Sequence, residues 1–222
     1  VFRDAGLVAG KDLRLELRSR VTTNQVLPFA LLVLVLFAFA LDPDRGVLER
    51  ATPGLYWVAV LFCALLAVQR AFAVEAADGV RDALRLTGLD PAGIYLGKAA
   101  AVAAQLLVLE VLLGLGVAVL YDTALGGWGL LVATCLVATA GIAAAGTLFG
   151  VLAAGLRVRE TLLPLLLLPA LAPVLVATTR ASEAALGDEP AEGWPWLGLL
   201  GAFALVYLVA GLVGFGVLLE DP

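Results

Sequence analysis

The chain has no histidine, no methionine and only two cysteines among its 222 residues. Without histidine it cannot build a usual zinc or di-iron site, a Ser-His-Asp triad or an intramembrane Ser-His dyad. Without methionine as well, it lacks both of the commonest neutral axial ligands of a haem iron. Cys63 and Cys135 fall inside long apolar stretches, where no oxidant acts, so they read as small hydrophobes in helix packing rather than as a disulfide. No G-x-x-x-x-G-K-[ST] stretch occurs, so the chain does not bind ATP through a P-loop. No enzyme site, and no resident metal or cofactor, is expected on it.

What it has in abundance is apolar length. Hydrophobic residues make up 62% of the chain and mean hydropathy is +1.03, too little polar surface to cover a soluble sphere. Six runs stand out: Val26–Leu41, Leu55–Val74, Ile94–Tyr121, Leu130–Leu156, Leu162–Thr179 and Trp196–Leu219. Each can cover ~30 Å of hydrocarbon at ~1.5 Å per residue, the first and fifth near the short limit. Across the connecting loops, Arg3, Lys11, Arg14, Arg18, Arg20, Arg70, Arg81, Arg85, Lys98, Arg157 and Arg159 fall on one side. Only Arg45, Arg50 and Arg180 fall on the other, and eleven against three predicts a multi-pass inner-membrane protein with both termini cytoplasmic. The net charge of −5 does not oppose this, because acidic residues contribute little to orientation. The segment up to Arg20 has no uncharged core and does not read as a signal peptide. The predicted fold is a single all-α membrane domain over residues 1–222, with no nucleic-acid partner.

Two segments outside the spans carry their own patterns. In 1–22, Leu13, Leu15 and Leu17 alternate with Arg14, Glu16 and Arg18, which fits a strand as well as a helix. A lone strand at a bilayer would leave its backbone unpaired, so an interfacial helix is expected, with Leu13 and Leu17 toward lipid and Lys11, Arg14 and Arg18 toward acidic headgroups. The plainer reading is a solvated basic flank that only sets topology. In 75–90, Ala76, Val80, Ala83, Leu84 and Thr87 recur at helical spacing, and Asp78–Arg81 and Asp82–Arg85 are i,i+3 charge pairs. Gly88 suits the stop, and Asp90-Pro91 supplies an N-cap and first-turn proline for the third span. A short crosswise helix between the second and third spans is a docking surface, or else a mere connector.

Inside the spans, Gly146-x-x-x-Gly150 predicts close helix contact, within the chain or between copies. Pro164, Pro169 and Pro173 are expected to kink the fifth span, either as a moving or cavity-lining element or as a static bend. The polar groups are Gln69 and Arg70 at the end of the second run, and Gln105 and Glu110 in the third. A lone ionised carboxylate in hydrocarbon costs several kcal/mol, so Glu110 should be protonated or paired, as a conduit-facing group or as one end of an interhelical hydrogen bond.

One region goes beyond architecture. Ala51-Thr52-Pro53-Gly54-Leu55-Tyr56-Trp57-Val58-Ala59 leads into Leu65-Leu66-Ala67-Val68-Gln69-Arg70-Ala71-Phe72, then Asp78-Gly79 and Lys98. This run resembles the cytochrome c maturation protein B family, also called haem exporter protein B. The basic Leu13–Arg18 segment, Gly127-Trp128 and the proline-studded fifth span extend the resemblance over nearly the whole chain. Gln69, Arg81 and Gly88 depart from the family pattern. The resemblance implies a membrane subunit of an ABC-2-type complex. It implies a separate cytosolic ATPase docking on Glu75, Asp78, Gly79, Val80, Arg81, Asp82, Leu84 and Arg85. It also implies a haem-handling membrane subunit, a small membrane subunit, a periplasmic haem chaperone released on ATP hydrolysis, and a second copy of the chain. ATP and haem would sit on those partners. Pro53, Gly54 and Trp57, with the acidic stretch 181–196, are expected to form a periplasmic partner surface. The rivals are an ABC-2 permease for a lipid, polysaccharide or drug, an intramembrane enzyme, which the missing histidine opposes, and a secondary transporter, which lacks the expected inverted repeat.

Overall fold

The computed structural model describes residues 1–19, 22–41, 45–76, 88–121, 127–154, 159–187 and 190–220. Among them, all regular structure is helical. The helices are α1 (Phe2–Ser19), α2 (Leu27–Leu41), α3 (Arg45–Ala76), α4 (Pro91–Tyr121), α5 (Trp128–Ala154), α6 (Arg159–Leu186) and α7 (Trp194–Glu220). A π-helical turn, Thr22–Val26, leads into α2, and a 3-10 turn, Pro190–Gly193, leads into α7. Helices α2 to α7 are each long and apolar enough to cross a membrane, so the chain is a multi-pass membrane protein.

The arrangement follows from side-chain size. The spans in α3 and α5 are 61% buried, whereas those in α2 and α7 are 17% buried, so α3 and α5 form the inside and α2 and α7 flank it. Helix α5 reaches the centre because Gly141, Ala143, Ala144, Ala145 and Gly146 leave its backbone open to neighbours. A Cβ at Gly146 would lie 2.6 Å from Val68, and one at Gly150 would strike the Phe72 ring, both on α3. The Gly146-x-x-x-Gly150 contact is therefore an internal one.

Tyrosines tie the outer helices in. The buried Tyr95 hydroxyl of α4 lies 2.9 Å from the Tyr207 carbonyl of α7 and 3.1 Å from the Ala144 carbonyl of α5. Gly211 gives its ring room, since a side chain there would collide with it. Tyr121 donates to the Leu34 carbonyl of α2 at 2.9 Å.

Several boundaries differ from the hydropathy reading. Helix α3 begins at Arg45, ten positions before the apolar run, because a helix can continue past hydrocarbon into polar sequence. Helix α6 likewise runs on to Leu186 and passes all three prolines without a break. Much of the expected acidic loop 181–196 is thus helix. The start of α4 is as read: the Asp90 carboxylate accepts from the Ala92 N–H at 3.0 Å, and Gly88 adopts φ 68°.

Candidate functional site

Helix α1 builds the first feature. Asp4, Ala5, Val8, Asp12 and Glu16 share one face at 100° per residue, opposite Arg3 and Arg14. That face packs on α4, where Gly93 and Gly97 stand one turn apart. A Cβ at Gly93 would lie 2.9 Å from Asp4 Cβ, and one at Gly97 would lie 2.6 Å from the Ala5 carbonyl oxygen. The two glycines are what allows so close an approach.

The acids on this face then reach both neighbouring spans. Asp4 accepts from the Asp90 backbone N–H at 3.4 Å. Asp12 Oδ2 is 3.5 Å from Lys98 Nζ of α4, and Glu16 accepts from Arg70 Nε of α3 at 3.2 Å. Lys98 is only 2% exposed and its ammonium lies 5.0 Å from the centre of the Phe72 ring. Desolvating an ammonium costs several kcal/mol without partners, and here a carboxylate and an aromatic face supply them. Helix α1 is therefore a brace joining the ends of α3 and α4 on either side of 77–87.

This refines the interfacial reading of α1. The helix is as expected, and Leu17 is 74% exposed with Arg14 and Arg18 also outward. Leu13 is half-buried and Lys11 turns to Asp12 at 3.0 Å, so these two do not simply face lipid and headgroup. The pattern that marks the brace is readable in sequence, as acids in register with Ala5 and Val8. Gly93-x-x-x-Gly97 is the stripe that sequence reasoning passed over, and Lys98, counted there among the loop cations, is instead buried against Asp12.

A cavity of about 310 Å³ lies between α3, α4, α5 and α6, lined among others by Pro53, Tyr56, Glu110, Cys135 and Ser182. Glu110 is buried, and Thr139 of α5 donates to its Oε1 at 2.5 Å. Tyr56 donates to the Glu110 backbone carbonyl at 3.1 Å, with Cys135 Sγ 3.9 Å away. Glu110 thus makes an interhelical hydrogen bond, while Gln105 is half-buried on the same helix. A second cavity of about 1,020 Å³ is lined by Gln69, Arg70 and Pro164 together with Phe29, Phe62 and Phe72.

The expected partner surface near Pro53 needs correction. Pro53 and Trp57 are buried and Gly54 is half-buried against α6. Trp57 Nε1 donates to Ser182 Oγ at 2.9 Å, so its ring is a link between α3 and α6 rather than a surface. The extended start of α3 explains the difference, because it draws this stretch into the bundle. Of the prolines, Pro169 and Pro173 are exposed, because the Leu163, Leu167 and Leu171 stripe takes the inward face. Pro164 lines the larger of the two cavities described above. Glu75 lies in the last turn of α3, and Asp78, Gly79, Val80, Arg81, Asp82, Leu84 and Arg85 lie outside the described residues.

The family profile described as "CcmB protein" matches residues 5–218, which takes in α1 from Ala5 onward and both cavities. The chain belongs to the CcmB protein family. Among curated relatives, "Heme exporter protein B" of Haemophilus influenzae is 33% identical over 192 residues, covering 86% of each chain. The protein of that name from Paracoccus denitrificans is 33% identical over 184 residues, 81% of this chain and 83% of its own. That from Bradyrhizobium diazoefficiens is 30% identical over 205 residues, 90% of each. CcmB family membership agrees with the six spans, and the chain carries no P-loop of its own.

Proposed function

We propose that this chain is the permease subunit of an ATP-binding-cassette complex for cytochrome c maturation, coupling ATP hydrolysis on a separate subunit to haem delivery and release of a haem-loaded periplasmic chaperone. It sits in the bacterial inner membrane with both termini cytoplasmic, paired with a second copy of itself. A haem-handling membrane subunit and a small membrane subunit complete the assembly. Relatives named for haem export support the substrate, and the eleven-to-three distribution of cations supports the orientation.

The observation that carries the coupling is the brace. The ATPase docks on the segment around 77–87, between α3 and α4. Lys98–Asp12 and Arg70–Glu16 hold those two helix ends to one rigid element, α1. Force on the intervening segment therefore moves α3, α4 and α1 as a unit instead of splaying the helix ends. Because α3 and α4 also line the Glu110 cavity, that motion reaches the far half of the bundle. Haem ligation and ATP chemistry stay on the partners, and this chain supplies the moving wall.

The test is complementation. In a bacterium deleted for its own haem exporter B, this chain with its cognate partners should restore covalent haem on c-type cytochromes, seen by haem staining. A Val80→Asp/Leu84→Asp variant present at normal level should not. Unchanged cytochrome maturation by that variant would contradict the docking assignment.

A further inference from the structure

We propose that the cavity beside Glu110 is a binding site for a lipophilic amine, whose alkyl chain enters from the bilayer and whose nitrogen meets the Glu110 carboxyl. The site is defined by its own geometry and does not depend on the ATPase reading. At about 310 Å³ it is at the small end of ligand pockets, which run from ~300 to ~1,000 Å³, and suits one slender chain. Its wall is apolar, and Val111, Val132 and Leu136, each at least half exposed, place its edge at the lipid-facing surface between α4 and α5.

The polar atoms decide the head group. Thr52 spends its hydroxyl hydrogen on the Leu48 carbonyl, Tyr56 on the Glu110 carbonyl and Thr139 on Glu110 Oε1. Trp57 spends its N–H on Ser182. Glu110 Oε2 is buried and makes no hydrogen bond among the described residues, with only the Cys135 thiol, a weak donor, beside the carboxyl. A buried polar atom left so is costly, and a ligand that satisfies it recovers that cost. An amine matches the carboxyl whichever of the two holds the shared proton: a carboxylate accepts from an ammonium, and a neutral acid donates to a neutral amine. An alcohol makes the weaker, uncharged bond, and a carboxylate head is repelled by an ionised Glu110, so the competition is run at alkaline pH, where the carboxyl is ionised and the amine still protonated.

The test is equilibrium binding of radiolabelled decylamine to the intact chain in lipid nanodiscs, with unlabelled decylamine, decanol and decanoic acid as competitors. Saturable binding is expected, displaced by decylamine, less well by decanol and not by decanoic acid. Glu110→Gln should weaken it roughly tenfold or more, as loss of a charge-assisted hydrogen bond does. Gly114→Leu should abolish it with the fold kept, because Gly114 lines the cavity and a Cβ there meets nothing within 4 Å. No saturable binding, binding retained in both variants, or equal displacement by decanoic acid would overturn the proposal.

Discussion

Lys98 of α4 stands 3.5 Å from Asp12 of α1 and 5.0 Å from the ring centre of Phe72 of α3, so one buried ammonium touches three helices. The pair differs from a surface ion pair in its burial, and its energetics should differ accordingly.

Replacing Lys98 by Met keeps the volume and removes the charge. Asp12 retains Lys11 at 3.0 Å, so the loss of stability should be ~1–3 kcal/mol, below the ~3–5 kcal/mol of a fully orphaned buried charge. A double-mutant cycle of Lys98→Met with Asp12→Asn should give a coupling above ~1 kcal/mol. The exposed Arg180–Glu183 pair, in the same thermal-unfolding assay, should give less than ~0.5 kcal/mol.

Gly97→Leu should free α1 from α4, because the new side chain collides with the Ala5 carbonyl and Val8. Trypsin cleavage after Arg14 or Arg18 should then accelerate several-fold in the folded protein. Gly214→Leu, where a Cβ meets nothing within 4 Å, should leave the cleavage rate unchanged.

Gly150→Ala should destabilise the bundle by ~1–3 kcal/mol through overpacking against Phe72. Phe72→Leu, made in the same chain, should recover part of that loss. If the two effects simply add in thermal unfolding, the close α3–α5 contact is wrong.

Trp57 should behave as a core residue. Trp57→Phe keeps most of the ring and loses the bond to Ser182, for a cost of ~1 kcal/mol, whereas Trp57→Ala should cost ~3–5 kcal/mol. Unaltered unfolding of Trp57→Ala would restore the surface reading.

The span cores were legible because hydrocarbon imposes a length and a composition, and α1 and the Asp90 cap because their side chains act locally. The ends of α3 and α6 were not, since nothing in hydropathy stops a helix that continues into polar sequence. Trp57 looked like a surface residue only because α3 was started too late. The cations Lys11, Arg14 and Arg18 of α1 read naturally against lipid headgroups, whereas its acids Asp12 and Glu16 answer to Lys98 and Arg70, 86 and 54 residues away in sequence. Partners at such separations leave no periodic trace. What was available was the register of Asp12 and Glu16 with Ala5 and Val8, facing a Gly93-x-x-x-Gly97 stripe. Glu110 was visible as a buried acid, but its Thr139 and Tyr56 partners come from two other helices.

The central claim is that a separate ATPase engages the segment between α3 and α4, and affinity purification of the detergent-solubilised chain with its partners tests it most directly. Wild type should retain both a cytosolic ATPase and a haem-handling membrane protein, and Val80→Asp/Leu84→Asp should lose the ATPase alone. Absence of any ATPase from the wild-type preparation, under conditions that keep the membrane partners bound, would contradict the account.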